Sequence, residues 1–298
     1  MEISRLFPEN DMFFWEKVFS HGGGLLSEIR LRAGRESYVY FDGREFYISK
    51  SGAFVRDKKQ ARIFEKSELE RLLLHLCKYS PYAYEDELKE GYITLEGGHR
   101  VGVAGRVVMD NGEIRTIGNI AFVNLRISHQ LLGFADKVLP WIYQNGELKN
   151  TLIISPPCCG KTTLLRDMIR QISNGNTYGE GKKVGVVDER AEIGGGCLGI
   201  PQNDLGSRTD VMEGCSKSAG LRLLLRSMSP EVLAVDELGA IDEWSALAEA
   251  GRRGVRVIAT VHGECLEEVK LGDAEGLFQE RILLGKRDGI PCILGHSG

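Results

Sequence analysis

The stretch with the clearest chemical pattern is Ile154-Ser155-Pro156-Pro157-Cys158-Cys159-Gly160-Lys161-Thr162-Thr163. Gly160-Lys161-Thr162 is how a phosphate-binding loop enters its helix, where backbone N–H groups and the helix N-terminus face an anion. The general pattern G-x-x-x-x-G-K-[ST] asks for glycine where this chain has Ser155, a small residue that departs little from it. Pro156 and Pro157 lack N–H donors but stiffen the approach. Cys158 and Cys159 must then offer phosphate their backbone N–H groups. In this pattern Lys161 reaches the terminal phosphates of ATP and Thr162, followed by Thr163, holds Mg²⁺.

Such a loop needs a second strand that ends in carboxylates. Val232-Leu233-Ala234-Val235-Asp236-Glu237 has that form, with four apolar residues followed by two acids. Asp236 is the candidate Mg²⁺ partner, and Glu237 the candidate base or orienter of the attacking water. A further apolar run, Val184–Val187, ends in Asp188-Glu189-Arg190-Ala191-Glu192, so Glu189 competes with Glu237 for the role of base. Asp188 or Glu192 could equally cap a turn or pair with Arg190. A fourth run, Val257-Ile258-Ala259-Thr260-Val261, leads to His262-Gly263 and makes His262 a candidate sensor of the γ-phosphate.

The elements that must position these residues are legible as alternating periods. Leu152–Ile154 reads as a buried strand. Leu164, Leu165, Met168, Ile169 and Ile172 give the next segment a helical apolar face, closed by Asn174-Gly175. Short apolar runs separated by helices predict a mostly parallel sheet covered on both faces. Near the end, Ile282–Leu284, a turn at Lys286–Gly289 and Cys292–Leu294 predict a hairpin. The Gly-rich segment from Glu192 to Ser216 reads as one long loop with Gln202, Asp204, Arg208 and Asp210 as its polar candidates.

The chain before about residue 130 has a different rhythm. Glu28–Arg32 alternates as a half-buried strand, and Tyr38–Phe41, Asp42-Gly43 and Glu45–Ile48 form a hairpin pattern. Ser67 with Glu70 suggests a capping box for a helix carrying Leu69, Leu72, Leu73 and Leu76. Further strands are expected around 91–95, 100–108 and 119–127. The 298 residues suit two domains, which we place at 1–135, a smaller α+β domain, and 136–298.

Composition narrows the class. Net charge is −4 and neither half is a basic module, so nucleic acid is a disfavoured partner. No run approaches the roughly 18 apolar residues of a membrane span. The seven cysteines show no CxxC spacing, which predicts reduced thiols rather than a disulfide framework or a zinc site.

These motifs together resemble a known family. ISPPCCGKTTLLRD, VGVVDERAEI, GIPQNDLGSRTDV, LLRSMSPEVLAVDELG and VIATVHG, with EIRLRAGR, GYITLEGGHRVGVAGR and NLRIS before them, are similar to the stage III sporulation AA proteins of endospore-forming bacteria. That family is similar in turn to the hexameric secretion ATPases of type II and type IV systems and pilus assembly. The resemblance implies an N-terminal α+β domain on a RecA-like motor, an acidic box at Glu189 and Glu192, a Walker B glutamate at Glu237 and a histidine box at His262. It also implies an ATP-hydrolysing homo-oligomeric ring, a hexamer as in those ATPases. Such a ring would lie in the mother-cell cytoplasm, peripheral to the membrane, and serve membrane-embedded sporulation channel proteins. Arginines of the first domain, Arg100, Arg106 and Arg126, would reach nucleotide across a subunit boundary. Where relatives tend to have glycine this chain has Cys158, and a positive φ there would cost about 1–2 kcal/mol. A nucleic-acid-dependent RecA-like ATPase and a non-hydrolysing, nucleotide-gated scaffold are the two competing readings.

Overall fold

The computed structural model describes residues 6–110, 112–197, 199–265, 271–287 and 290–298. Asp288 and Gly289 of the expected final turn lie outside them. The chain divides into two compact units, Met1–His129 and Gln130–Gly298.

In the first unit, helix α1 (Met12–Gly22) precedes strands β1 (Leu26–Arg32), β2 (Tyr38–Phe41), β3 (Arg44–Ile48) and β4 (Phe54–Val55). Helices α2 (Lys66–Leu76) and α3 (Glu85–Lys89) follow, then β5 (Tyr92–Thr94), β6 (Arg100–Asp110) and β7 (Glu113–Arg126). The strands make one antiparallel sheet in the order β4-β3-β2-β1-β7-β6-β5. Alternation sends Ile29 and Leu31 of β1 into a core shared with Trp15, Val18 and Leu69, Leu72, Leu73 and Leu76 of α2, and Leu26 joins it across a register shift between Leu26 and Glu28. Asp42 and Gly43 both have positive φ, 50° and 70°, as a two-residue hairpin turn requires. The capping box of α2 is two residues earlier than its sequence suggests. Glu65 is the N-cap, its N–H donates to Glu68 at 2.7 Å, and Glu70 pairs instead with Lys66.

The second unit opens with a one-turn helix α4 (Leu139–Ile142) and the short pair β8 (Tyr143–Gln144) and β9 (Glu147–Leu148). Then come β10 (Thr151–Ser155), α5 (Lys161–Asn174), β11 (Val184–Asp188), β12 (Thr209–Glu213), α6 (Lys217–Ser227), β13 (Val232–Leu238), α7 (Ile241–Arg252) and β14 (Arg256–His262). The hairpin β15 (Glu280–Arg287) and β16 (Ile290–Ser297) ends the chain. The sheet order is β12-β11-β13-β14-β10-β15-β16, parallel except for the last pair.

Successive residues of β10 serve opposite faces. Ile153 joins the core under α5, while Leu152 and Ile154 join the core under α6 and α7. The sheet is therefore mostly parallel and covered on both sides, the α/β architecture its apolar rhythm predicts. One expectation fails: Thr209–Glu213, inside the supposed long loop, is the edge strand β12, in register with β11 from Val184↔Thr209 to Asp188↔Glu213. Its Asp210 and only partly buried side chains hide it, because an edge strand needs no apolar run. Gln130 exchanges two hydrogen bonds with the backbone of Asp204, and the N–H of Ala135 donates to buried Asp167 of α5, which tie this segment to the second unit.

Candidate functional site

Because the strands are parallel, their carboxyl ends share one sheet edge, where ligands of open α/β sheets are held. Ser155, Asp188, Asp236-Glu237 and His262 all reach that edge, from β10, β11, β13 and β14. Strand β14 lies between β10 and β13, with Ser155 opposite His262 in register.

The loop from Ser155 to Gly160 leaves β10 and delivers the chain to α5. Ser155 is fully buried, and its hydroxyl turns back to the carbonyl of Pro156 at 2.8 Å. Pro157 and Cys158 are exposed, while Cys159 is buried with its thiol 3.5 Å from the carbonyl of Pro157. Gly160 caps the helix at φ 86°, which favours glycine. Cys158 also has positive φ, 57°, so the strain anticipated there is present in the protein itself. Cys158→Gly should raise stability by up to about 1 kcal/mol, the relieved strain being partly offset by the entropy that glycine adds to the unfolded chain. Chemical denaturation of both proteins checks this, and a loss of stability would show that the cysteine side chain contributes contacts.

Lys161, the first residue of α5, is 9% exposed, and its Nζ lies 3.4 Å from His262 Nε2. The same Nε2 is 2.8 Å from Glu237 Oε1, so the ring N–H donates to that carboxylate. Arg190 approaches the other oxygen of Glu237 at 3.3 Å. Burial pushes the Glu237 carboxyl up, but the hydrogen bond from His262 and the charges of Lys161 and Arg190 outweigh it and hold it below its ordinary value. Thr162 and Asp236 meet directly, the hydroxyl donating to Asp236 Oδ2 at 2.5 Å. Thr163 follows on α5, partly buried.

The acids of β11 are used differently. Asp188 is buried and accepts the N–H groups of Glu192, Ile193 and Gly194 at 2.7–3.0 Å, so it holds the start of the Gly-rich segment. Burial raises its carboxyl, against the pull of those three donors. Arg166 of α5 grips the same turn through the carbonyls of Glu192 and Ile193. Glu189 faces Lys217 of α6 at 2.8 Å, and Lys217 also approaches Glu243 at 3.4 Å. Of the two candidate bases, then, Glu237 is joined to Lys161 and His262, and Glu189 is drawn toward α6. Asp188, Glu189, Arg190, Lys217, Asp236 and Glu237 line one small cavity at this edge.

Arg100, Arg106 and Arg126 belong to the first unit. Arg100 and Arg126 are register partners on β6 and β7, and the Arg100 guanidinium stacks 4.3 Å from the ring centre of Tyr92. Arg106 lies beyond a bulge between Ala104 and Arg106, opposite Gly118. The sequence reading gave no role to Thr260, which is fully buried and touches both Asp236 and Glu237.

The fit of this site to Mg²⁺ can be judged from its donors. Thr162 and Asp236 offer hard oxygens side by side, as Mg²⁺ shared with phosphates requires. Among the described residues no cluster of three or more His, Cys, Asp or Glu side chains forms an all-protein metal cage. All seven cysteines are free. No described helix is long and apolar enough to cross a membrane.

A two-unit chain whose second unit carries a phosphate-loop motif on a parallel sheet has the fold of the RecA-like secretion ATPases. The chain aligns with the ATPase DotB of Legionella pneumophila at a TM-score of 0.60 and 19% identity, covering 94% of this chain and 79% of that one. With the pilus retraction motor PilT, solved with bound ADP, the TM-score is 0.62 at 18% identity, over 100% of this chain and 82% of that one. At these identities the likeness establishes the fold. In sequence, residues 20–295 match the family described as "Sporulation stage III, protein AA". The chain is also 41% identical over 281 residues to the stage III sporulation protein AA of Bacillus subtilis (strain 168), covering 94% of this chain and 87% of that protein. The chain belongs to the sporulation stage III protein AA family.

Proposed function

We propose that this protein is a Mg²⁺-dependent ATPase that drives a secretion-like transport complex during endospore formation. The observation that carries the reading is the convergence of Lys161, His262 and Glu237 beside the Thr162–Asp236 pair, at the end of a phosphate-loop strand. Backbone N–H groups from Pro157 to Gly160, apart from the proline, and the α5 N-terminus bind the β- and γ-phosphates, with Lys161 as their cation. Thr162 and Asp236 hold Mg²⁺, which when bound neutralises charge on the phosphate oxygens. Glu237, ionised at neutral pH, orients the attacking water and takes its proton. His262 couples that carboxylate to the position of the γ-phosphate.

The working form in this proposal is a homo-oligomeric ring, hexameric as in the secretion ATPases. It would lie in the cytoplasm of the mother cell and be docked on membrane-embedded channel proteins leading to the forespore. Turnover measured against protein concentration should rise more than linearly as rings form, with sizing in a non-hydrolysable ATP analogue showing the oligomer. Stimulation by DNA or RNA would favour the nucleic-acid motor instead, and absent turnover the gated scaffold.

The ring reading includes a role in trans for Arg100, Arg106 or Arg126. A guanidinium supplied across an interface to a transferring phosphoryl group is worth roughly 10³–10⁵ in rate. A Lys161→Ala subunit mixed with a subunit lacking the acting arginine should recover part of the turnover that each lacks alone. No recovery with any of the three alanine variants would remove the trans arrangement.

A further inference from the structure

We infer that Thr260 is the positioning residue of both acids at the site, a role that rests on the ATPase reading above. The register between β13 and β14 carries the argument. Val235 pairs with Ala259 and Leu238 with Val261, so Asp236 and Glu237 together oppose the single residue Thr260. This is a β-bulge, which leaves one residue of the longer strand without a ladder partner and re-aims its side chain. Glu237 accordingly has φ 57°, a left-handed conformation that a glutamate adopts only when its surroundings impose it.

Thr260 supplies what the ladder cannot. Its hydroxyl accepts the N–H of Glu237 at 2.8 Å and donates to Asp236 Oδ1. One hydroxyl thus fixes the strained backbone of one acid and the carboxylate plane of the other. Asp236 Oδ2 is left aimed at Thr162, and the Glu237 side chain is sent toward His262. Thr260 is fully buried between the apolar neighbours Ala259 and Val261. Valine has nearly the shape of threonine but not its hydroxyl, so what distinguishes threonine here is the pair of polar partners that the hydroxyl serves. Among the described residues the hydroxyl of Thr260 bonds to Asp236 and Glu237 and not to the phosphate loop or Lys161, so its loss should leave the hydrogen bonds of the loop in place.

The test compares Thr260→Val, which keeps the shape, with Thr260→Ser, which keeps the hydroxyl. Two measurements are needed. The first is the Mg²⁺ concentration at half-saturation for binding a fluorescent non-hydrolysable ATP analogue, and the second is steady-state turnover. Thr260→Val should raise the Mg²⁺ midpoint several-fold and lower kcat on the order of 10²-fold, the usual effect of misplacing a catalytic group by about 1 Å. KM for ATP should stay within about threefold, and Thr260→Ser should restore most of both quantities. If Thr260→Val fails to fold, Thr260→Ala against Thr260→Ser gives the same comparison. Equal Mg²⁺ midpoints and kcat in the valine variant and the native protein would overturn the assignment, and so would a defect that serine does not rescue. Should the native protein bind the analogue through Lys161 yet show no turnover, the ATPase reading fails. The Mg²⁺ midpoint then still decides whether Thr260 positions Asp236.

Discussion

Lys161→Ala should abolish ATP binding within the usual assay range, with Kd raised roughly 100-fold or more, or about 3 kcal/mol. Lys161 is the cation at the start of α5, and its Nζ is already held at the sheet edge beside His262. Its removal leaves the loop itself with backbone N–H donors only, and the prolines at 156 and 157 supply none. Equilibrium titration with a fluorescent ATP analogue measures the loss, and circular dichroism confirms that the variant is folded. Unchanged affinity in a folded variant would remove the phosphate-loop assignment and the proposed function with it.

The second large effect separates the acids. Glu237→Gln should retain ATP and lose turnover by roughly 10²–10⁴, the contribution of a positioned general base. Glutamine keeps the size of the side chain and its contact with His262 while losing proton affinity. Glu189→Gln should cost under about tenfold, because Glu189 is engaged by Lys217 and a partly exposed ion pair contributes little. The pH profile adds an independent check. The folded-state carboxyl of Glu237 lies below its ordinary value of 4.5, so the active, ionised form is present above that pH and is lost only as pH falls below it. No Glu237 limb should appear between about pH 5 and 8. A larger defect in Glu189→Gln than in Glu237→Gln would move the catalytic role to β11.

The loop between β10 and α5, the acid pair and the late histidine could be placed on their elements from the amino-acid sequence because each is local. A strand, a loop and a helix face occupy consecutive residues, and their apolar periods declare them. For the same reason the parallel sheet followed from the alternation of short apolar runs with helical ones. Edge strand β12 was not legible, since a strand bordered by solvent on one side carries no distinctive run and Thr209–Glu213 lies within a Gly-rich stretch. Nor was the start of α2, where Glu65 and Glu68 compete with Ser67 and Glu70 for the same capping pattern.

What the sequence by itself determined, then, is which candidate residues are available and on which kind of element each lies. Only the tertiary structure decided how they are shared out. It bound Asp188 to the Gly-rich turn, drew Glu189 to Lys217, and joined Glu237 to His262 and Lys161. It also gave Thr260 its two partners. Apart from the Asp188 turn, such assignments depend on sheet order and on a one-residue shift in register between β13 and β14, and they join residues 23 to 101 positions apart in the chain. Local periodicity carries no information at that range, because strand pairing is chosen by how whole faces pack and not by the residues that end up side by side.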